Sequence, residues 1–429
     1  MKILIIDLTH GGDKIGREYL ALGHDVTLVD VYRSSPEDER RSLELEGFRV
    51  LEAAPSEMFD LAVVPVHSPD RFLGQAHFAR RITHHHAVGE LVKFAVPVVE
   101  VTGAKAKTTT CFLLAHLLSK LGKKVLLHTG RGDFIVSSQE TATIGNRSSI
   151  APASLIPLSR LDGYDIAVLE EGLGGCGLGK VCAITTLDDN HPIAAGTRHA
   201  YDGMVQMVRL AKDMVVIPRE EEAMWQQDID PNVNSICFGE NGDVDAELDE
   251  HLQLGVPLTL RLRNLERRVS VELPSAFLAP SYLTAFQCAT AIMVGLGFDL
   301  EQVGSAFQGF NGVPGRGEVS REGNWYLVRE RNSGVGARSI DWNLDVLETY
   351  YRVKDVGLVI DPADLAVCEK LDMKAILEVA RSHPSVRQVY LFQRKGEEDL
   401  WKEVPHIQNA FDVWNMHKAV LWCTKESYL

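Results

Sequence analysis

A chain holding "VPVVEVTGAKAKTTTCFLLAHLLSKLGKKVLLHTG" from Val96 to Gly130 is committed to a strand that turns straight into a helix. Val98 to Val101 reads as a buried strand, Thr108 to Leu121 as a helix, and the turn between them carries Gly103 and Lys107. A turn at such a junction aims backbone N–H groups and the positive end of the helix at an anion, phosphate above all. Lys107 then reaches terminal phosphates, and Thr108 offers its hydroxyl to magnesium. Thr102, Gly103, Ala104, Lys105, Ala106, Lys107, Thr108 and Thr109 are therefore the candidate ATP loop. The strict pattern GxxxxGK[ST] is not met, because Ala106 stands where its second glycine belongs. Alanine serves there if its φ is negative.

Around this loop, short β-branched runs alternate with amphipathic segments, the pattern of α/β domains with largely parallel sheets. "KILIID", "DVTLVD" and "LAVVPV" read as strands, separated by helices near Gly16 to Leu22 and Pro36 to Glu46. They predict a Rossmann-like domain over residues 1–94. "VPVVEVT", "KVLLHT", "DIAVLE", "VCAITTL" and "DMVVIP", followed by a helix from about Ser281 to Leu296, predict a larger P-loop domain over 95–312. The glycine-dense "FNGVPGRGEV" breaks the pattern and marks the second boundary. "WYLVRE", "DVGLVID", "RQVYLF" and "KAVLWC" then supply a third α/β domain over 313–429.

Composition narrows the function. A formal charge of −15 argues against a nucleic-acid partner, so an anionic substrate needs a local basic pocket. Seven cysteines without a CxxC pair read as free thiols in a reducing cytoplasm rather than a disulfide framework or a zinc site. The start, "MKILIIDLTHGG", turns acidic at Asp7 and reads as a strand, not a signal or membrane span. Oligomeric state stays open. His10, Gly11 and Gly12 follow the first strand, where an open sheet binds its ligand. "ARRITHHHAVGELV" gathers Arg80, Arg81, His84, His85 and His86 just before the second domain. Two readings stand: a solvated linker that starts a helix, or cationic groups facing a polycarboxylate or a metal-containing ligand.

The order "VTGAKAKTTT", "AVLEEG", "TTLDDNHP", "LAK", "GVPGRGE" resembles the Mur ligase family, over roughly Glu100 to Glu318 in detail. The resemblance implies a three-domain architecture with ATP and magnesium as cofactors. It implies Lys107 for the phosphates, Thr108 and Glu170 for magnesium, and His191 with Lys212 for a second magnesium, the lysine as a carbamate. It gives Arg316 a phosphate contact on closure of the C-terminal domain. Glu171 is a rival to Glu170, but strand alternation lets only one face the site. Asn190 stands where the family has aspartate, and "SYLTAFQCATAIMVG" lacks the asparagine that contacts adenine in relatives. In "RERNSGVGARS", Glu330 and Asn332 replace an aspartate-rich loop.

"IDLTHGG", "ITHHHAVGEL" and "LLHTGRGDF" narrow the resemblance to a divergent branch of the family in methanogenic archaea. That implies a nickel tetrapyrrole substrate with several carboxylates, one of them phosphorylated by ATP and then attacked by a ring carbon of the same molecule. A carboxylate resists nucleophiles, and phosphorylation gives it a leaving group. The alternatives are an amide-forming ligase of the folylpolyglutamate or cell-wall class, a non-catalytic nucleotide-binding homologue, and a simple kinase.

Overall fold

In the computed structural model, which describes residues 1–146, 149–188, 190–332, 334–362, 371–392, 404–408 and 411–425, the opening run is a strand covered on both faces. This strand, β1 (Lys2–Ile6), sends Ile3 and Ile5 into one apolar cluster and Leu4 and Ile6 into another, as a period of two demands. There follow α1 (Gly12–Ala21), β2 (Asp25–Val29), α2 (Glu37–Glu46), β3 (Arg49–Leu51), β4 (Met58–Val64), β5 (His77–Thr83) and α3 (His84–Leu91). The strands pair in the order β3-β2-β1-β4-β5, every pair parallel. Strand order reverses between β1 and β4, which opens a crevice at their C-terminal ends. β3 is short and β5 carries two arginines, so neither shows the apolar run that announces a strand.

The second sheet is built from β6 (Val98–Thr102), β7 (Val125–Thr129), β8 (Gly132–Val136), β9 (Thr141–Asn146), β10 (Ile166–Glu170), β11 (Val181–Ile184), β14 (Met214–Pro218) and β15 (Asn234–Phe238). Between them lie α4 (Lys107–Lys120), α5 (Leu155–Leu158), the small ribbon of β12 (Pro192–Ile193) and β13 (Arg198–His199), α6 (Ala200–Leu210) and α7 (Glu222–Trp225). These sheet strands run β15-β14-β11-β6-β10-β7-β8-β9, parallel but for β8 and β9. β6, β7 and β10 are buried at every residue, as a parallel sheet covered on both faces requires. Val98, Leu126 and Leu169 share one apolar cluster with Ile3, Ile5, Val63 and Val88, so the two sheets have a common core. Met1–Asp245 with Cys288–Asp299 is accordingly one compact unit, and Ala246–Gln287 with Leu300–Leu429 is the other.

The second unit holds an antiparallel hairpin, Leu258–Asn264 with Arg268–Leu273. Its sheet takes Glu318–Glu322, Trp325–Asn332, Ala419–Lys425, Val356–Asp361, Val386–Phe392 and His406–Ile407 in that spatial order, parallel after the first pair. The cysteines among the described residues are free and buried. No described helix is long and apolar enough to cross a membrane.

Candidate functional site

Strand β6 ends at Thr102 and α4 begins at Lys107, so the four-residue turn between them sits at the C-terminal edge of the sheet. The turn is seated on the segment after β11. Ala104 N–H donates to the Thr186 carbonyl at 2.7 Å, and the Thr185 hydroxyl donates to the carbonyls of Thr102 and Lys105. Gly103 has φ +140°, and a Cβ there would lie 2.0 Å from Thr185 Oγ1, so the close seating needs glycine. Lys107 Nζ folds back onto the Gly103 carbonyl at 2.8 Å, and Lys105 pairs with Asp188 at 2.6 Å.

Ala106 corrects one expectation. Its φ is +62° with ψ −2°, the left-handed conformation, not a negative φ. The backbone keeps the turn that glycine usually supplies, and alanine bears the strain. Ala106→Gly relieves about 1–2 kcal/mol of left-handed strain, against about 0.5–1 kcal/mol for glycine's greater freedom when unfolded. Thermal unfolding of Ala106→Gly should therefore match or exceed that of the parent, with nucleotide affinity kept. A clearly lower melting temperature would show that the side chain itself holds the turn.

Beside the turn, Thr108 Oγ1 donates to Glu170 Oε1 at 2.9 Å, and Gly130 N–H donates to the other oxygen of Glu170 at 3.3 Å. Glu170 ends β10, next to β6, so the end of β10 and the start of α4 bring the carboxylate and the hydroxyl to one place. Glu171 points elsewhere, as alternation requires. It lies with Glu100 and Cys176 in a closed cluster, where Cys176 Sγ donates to it at 3.0 Å. Burial, with the Glu100 carboxyl next to it, raises Glu171 well above the usual carboxylate range. Glu100 in turn accepts from the N–H groups of Cys176 and Gly179, at 2.8 and 2.9 Å. Glu221, which sequence reading did not single out, braces the segment after β11 by accepting from the Thr186 hydroxyl and Leu187 N–H.

The remaining expected residues divide. His191 is exposed on the segment after β11, at the same sheet edge as the turn. Asn190 accepts from Tyr201 N–H at 2.9 Å and so anchors the start of α6. Lys212 corrects another expectation: it is exposed and precedes β14, whereas Lys107 follows β6. Because β14, β11 and β6 are parallel, Lys212 lies at the opposite edge of the sheet from the segment after β11 that carries His191, and so away from the second magnesium expected of that pair. Lys212→Ala should leave turnover and its magnesium dependence unchanged, and a large loss of either in steady-state kinetics would refute this placement. In the second unit, Arg316 NH1 stands 3.8 Å from Glu330 Oε1. Glu330 accepts from Gly317 N–H at 2.8 Å and from Asn332 Nδ2, so these residues organise the backbone around Arg316.

The basic stretch before the second sheet does start a helix, as one reading has it, but it is not a solvated linker. Arg80 and Arg81 lie on β5, while His84 and His85 open α3 and are buried. His84 Nε2 donates to the Ile6 carbonyl and His85 Nε2 to the Gly172 carbonyl, each at 3.0 Å, tying α3 to both sheets. Burial pushes their pKa values down to about 3 and about 4, so both rings are neutral struts. Arg80 pairs with Glu90, with His86 beside it, and Arg81 shares Asp70 with Arg198. At the mouth of the β1/β4 crevice, His10 meets two residues not picked out in the sequence, Asp7 and His67. Each directly follows a legible strand, which is the signal that could have found them.

No family model matches the chain. Coenzyme F(430) synthetase of Methanosarcina acetivorans is 30% identical over 402 residues, which are 86% of this chain and 85% of that protein. Coenzyme F(430) synthetase of Methanocaldococcus jannaschii is 25% identical over 405 residues, 88% of each chain. Among solved structures, the MurF ligase of Thermotoga maritima in complex with ADP superposes with a TM-score of 0.58 at 14% identity, covering 94% of this chain and 91% of that one. That likeness establishes the α/β fold of such ligases for this sequence.

Proposed function

The chain belongs to the Mur ligase family of ATP-dependent ligases, in the branch of coenzyme F(430) synthetase, and from that premise we propose that it closes the carbocyclic ketone ring of a nickel tetrapyrrole. The observation that carries the ATP chemistry is the meeting of Thr108 with Glu170 beside a phosphate turn opened by Lys107. A hydroxyl and a carboxylate oxygen 2.9 Å apart are the hard donors magnesium takes. Thr108 and Glu170 would hold that ion, which would supply charge neutralisation at the terminal phosphates. His191, on the same edge, is our candidate for a second ion.

The division of labour we assign is substrate to 1–94, nucleotide to 95–312 and closure to 313–429. The turn's N–H groups and Lys107 hold the γ-phosphoryl group in line with a substrate carboxylate. A carboxylate oxygen attacks phosphorus, ADP leaves, and an acyl phosphate forms. Lys107 carries the charge that develops in the transfer. A carbon of the same macrocycle then gives up a proton and attacks the acyl carbon. Inorganic phosphate leaves with the former carboxylate oxygen, and a ring ketone remains. Arg81 and Arg198, gathered on Asp70 beside the β1/β4 crevice, are the cations we assign to peripheral carboxylates.

Transfer of heavy oxygen tests the activation step. A substrate labelled in its carboxylates should release phosphate bearing one labelled oxygen per ADP. Unlabelled phosphate would mean simple ATP hydrolysis and would remove the acyl phosphate.

A further inference from the structure

At the C-terminal ends of β1 and β4, Asp7, His10 and His67 bring their polar atoms within 4.8 Å of one another. Asp7 is fully buried, whereas the His10 side chain is 40% exposed. His10 Nδ1 lies 2.5 Å from Asp7 Oδ2, so in the neutral ring Nδ1–H donates to the carboxylate and Nε2 keeps its lone pair. His67 buttresses the pair, its ring centroid 4.4 Å from that of His10 and its Nε2 3.6 Å from Asp7 Oδ2. A carboxylate that fixes the tautomer and raises basicity is the usual support of a metal-ligating histidine. Aromatic rings stand beside the cluster. Tyr32 packs edge-on to His10 at 6.1 Å, Phe72 packs on Tyr32 at 5.4 Å, and Arg71 lies over Phe72.

We propose that His10, oriented by Asp7 and buttressed by His67, is the axial ligand to the metal of the flat macrocyclic substrate, with Tyr32 and Phe72 walling the ring. The proposal rests on the tetrapyrrole reading of the function. It assigns His10 a direct role and Asp7 a positioning role. No bond is made or broken in the macrocycle: the imidazole lone pair joins an open coordination position of the metal.

The test uses the full chain and a water-soluble porphyrin polycarboxylate in zinc and metal-free forms, followed by affinity and by the absorption band of the zinc form. The parent should bind the zinc form about 10-fold or more tighter than the metal-free form, the scale of a supported metal–histidine contact, and red-shift its band. His10→Ala should bind both forms alike, without the shift, and added imidazole should restore the shift. Asp7→Asn, which suits the left-handed backbone at Asp7 (φ 79°), should keep a weakened preference. Equal binding of the two forms by the parent, or a preference untouched in His10→Ala, overturns the ligand while leaving the tetrapyrrole reading in place. Failure of both forms to bind overturns the ligand and the tetrapyrrole reading together. Stoichiometric uptake of aqueous nickel(II), lost equally in His10→Ala and His67→Ala without any porphyrin preference, overturns it in favour of a simple cation site.

Discussion

Lys107→Ala should lower turnover by about 10²-fold or more, the scale of losing one preorganised charge stabiliser. The phosphoryl group in transit spreads negative charge over its equatorial oxygens, and catalysis is alignment plus neutralisation of that charge. Lys107 is the first residue of α4, so its ammonium and the helix end act on the same oxygens. Its present contact, the Gly103 carbonyl at 2.8 Å, shows the side chain folded over the turn that would hold the phosphates. Lysine removal leaves the backbone turn, which is seated by Thr185 and Ala104, so the variant should fold and still bind nucleotide weakly. ADP release at close to the parent rate would mean that phosphate chemistry takes place elsewhere.

Glu170→Gln should raise the magnesium needed for half-maximal rate by at least the ~10–100-fold that even an outer-shell partner of a metal is worth. Glutamine is nearly isosteric and can still accept from Thr108, so packing at the end of β10 is preserved while the charge is lost. Excess magnesium should recover part of the rate. The same change at Glu171 should instead act on stability, because that side chain is enclosed with Glu100 and Cys176 and never meets Thr108. A magnesium titration of the two variants side by side separates the roles. If Glu171→Gln shifted the magnesium curve and Glu170→Gln did not, the assignment of the pair would be reversed.

The parts of the fold carried by local pattern were legible in the sequence. β6, the turn and α4 follow from an apolar run, a glycine and a helix start, and the choice of Glu170 over Glu171 follows from strand alternation. What failed depended on tertiary placement. The strain at Ala106 is invisible to composition, because its φ is dictated by the Thr185 and Thr186 segment that the turn rests on. Lys212 looked suitable by order along the chain, yet order says nothing about which end of a parallel strand a residue occupies. The histidines of "THHHAV" divide by helix position, with His84 and His85 turned into the core. The pairing of His10 with His67 spans 57 residues and exists only because β1 and β4 are neighbours in the sheet.

The central claim is that the activated carboxylate is captured by carbon within the same molecule. Mass analysis of the product formed from a carboxylated nickel tetrapyrrole, ATP and magnesium, with every amine left out, tests it most directly. The account predicts one ADP and one phosphate per product, and a product lighter than the substrate by one water, with a new ketone. ADP release only when an amine is supplied, with a product heavier by that amine less one water, would contradict it and make the protein an amide ligase.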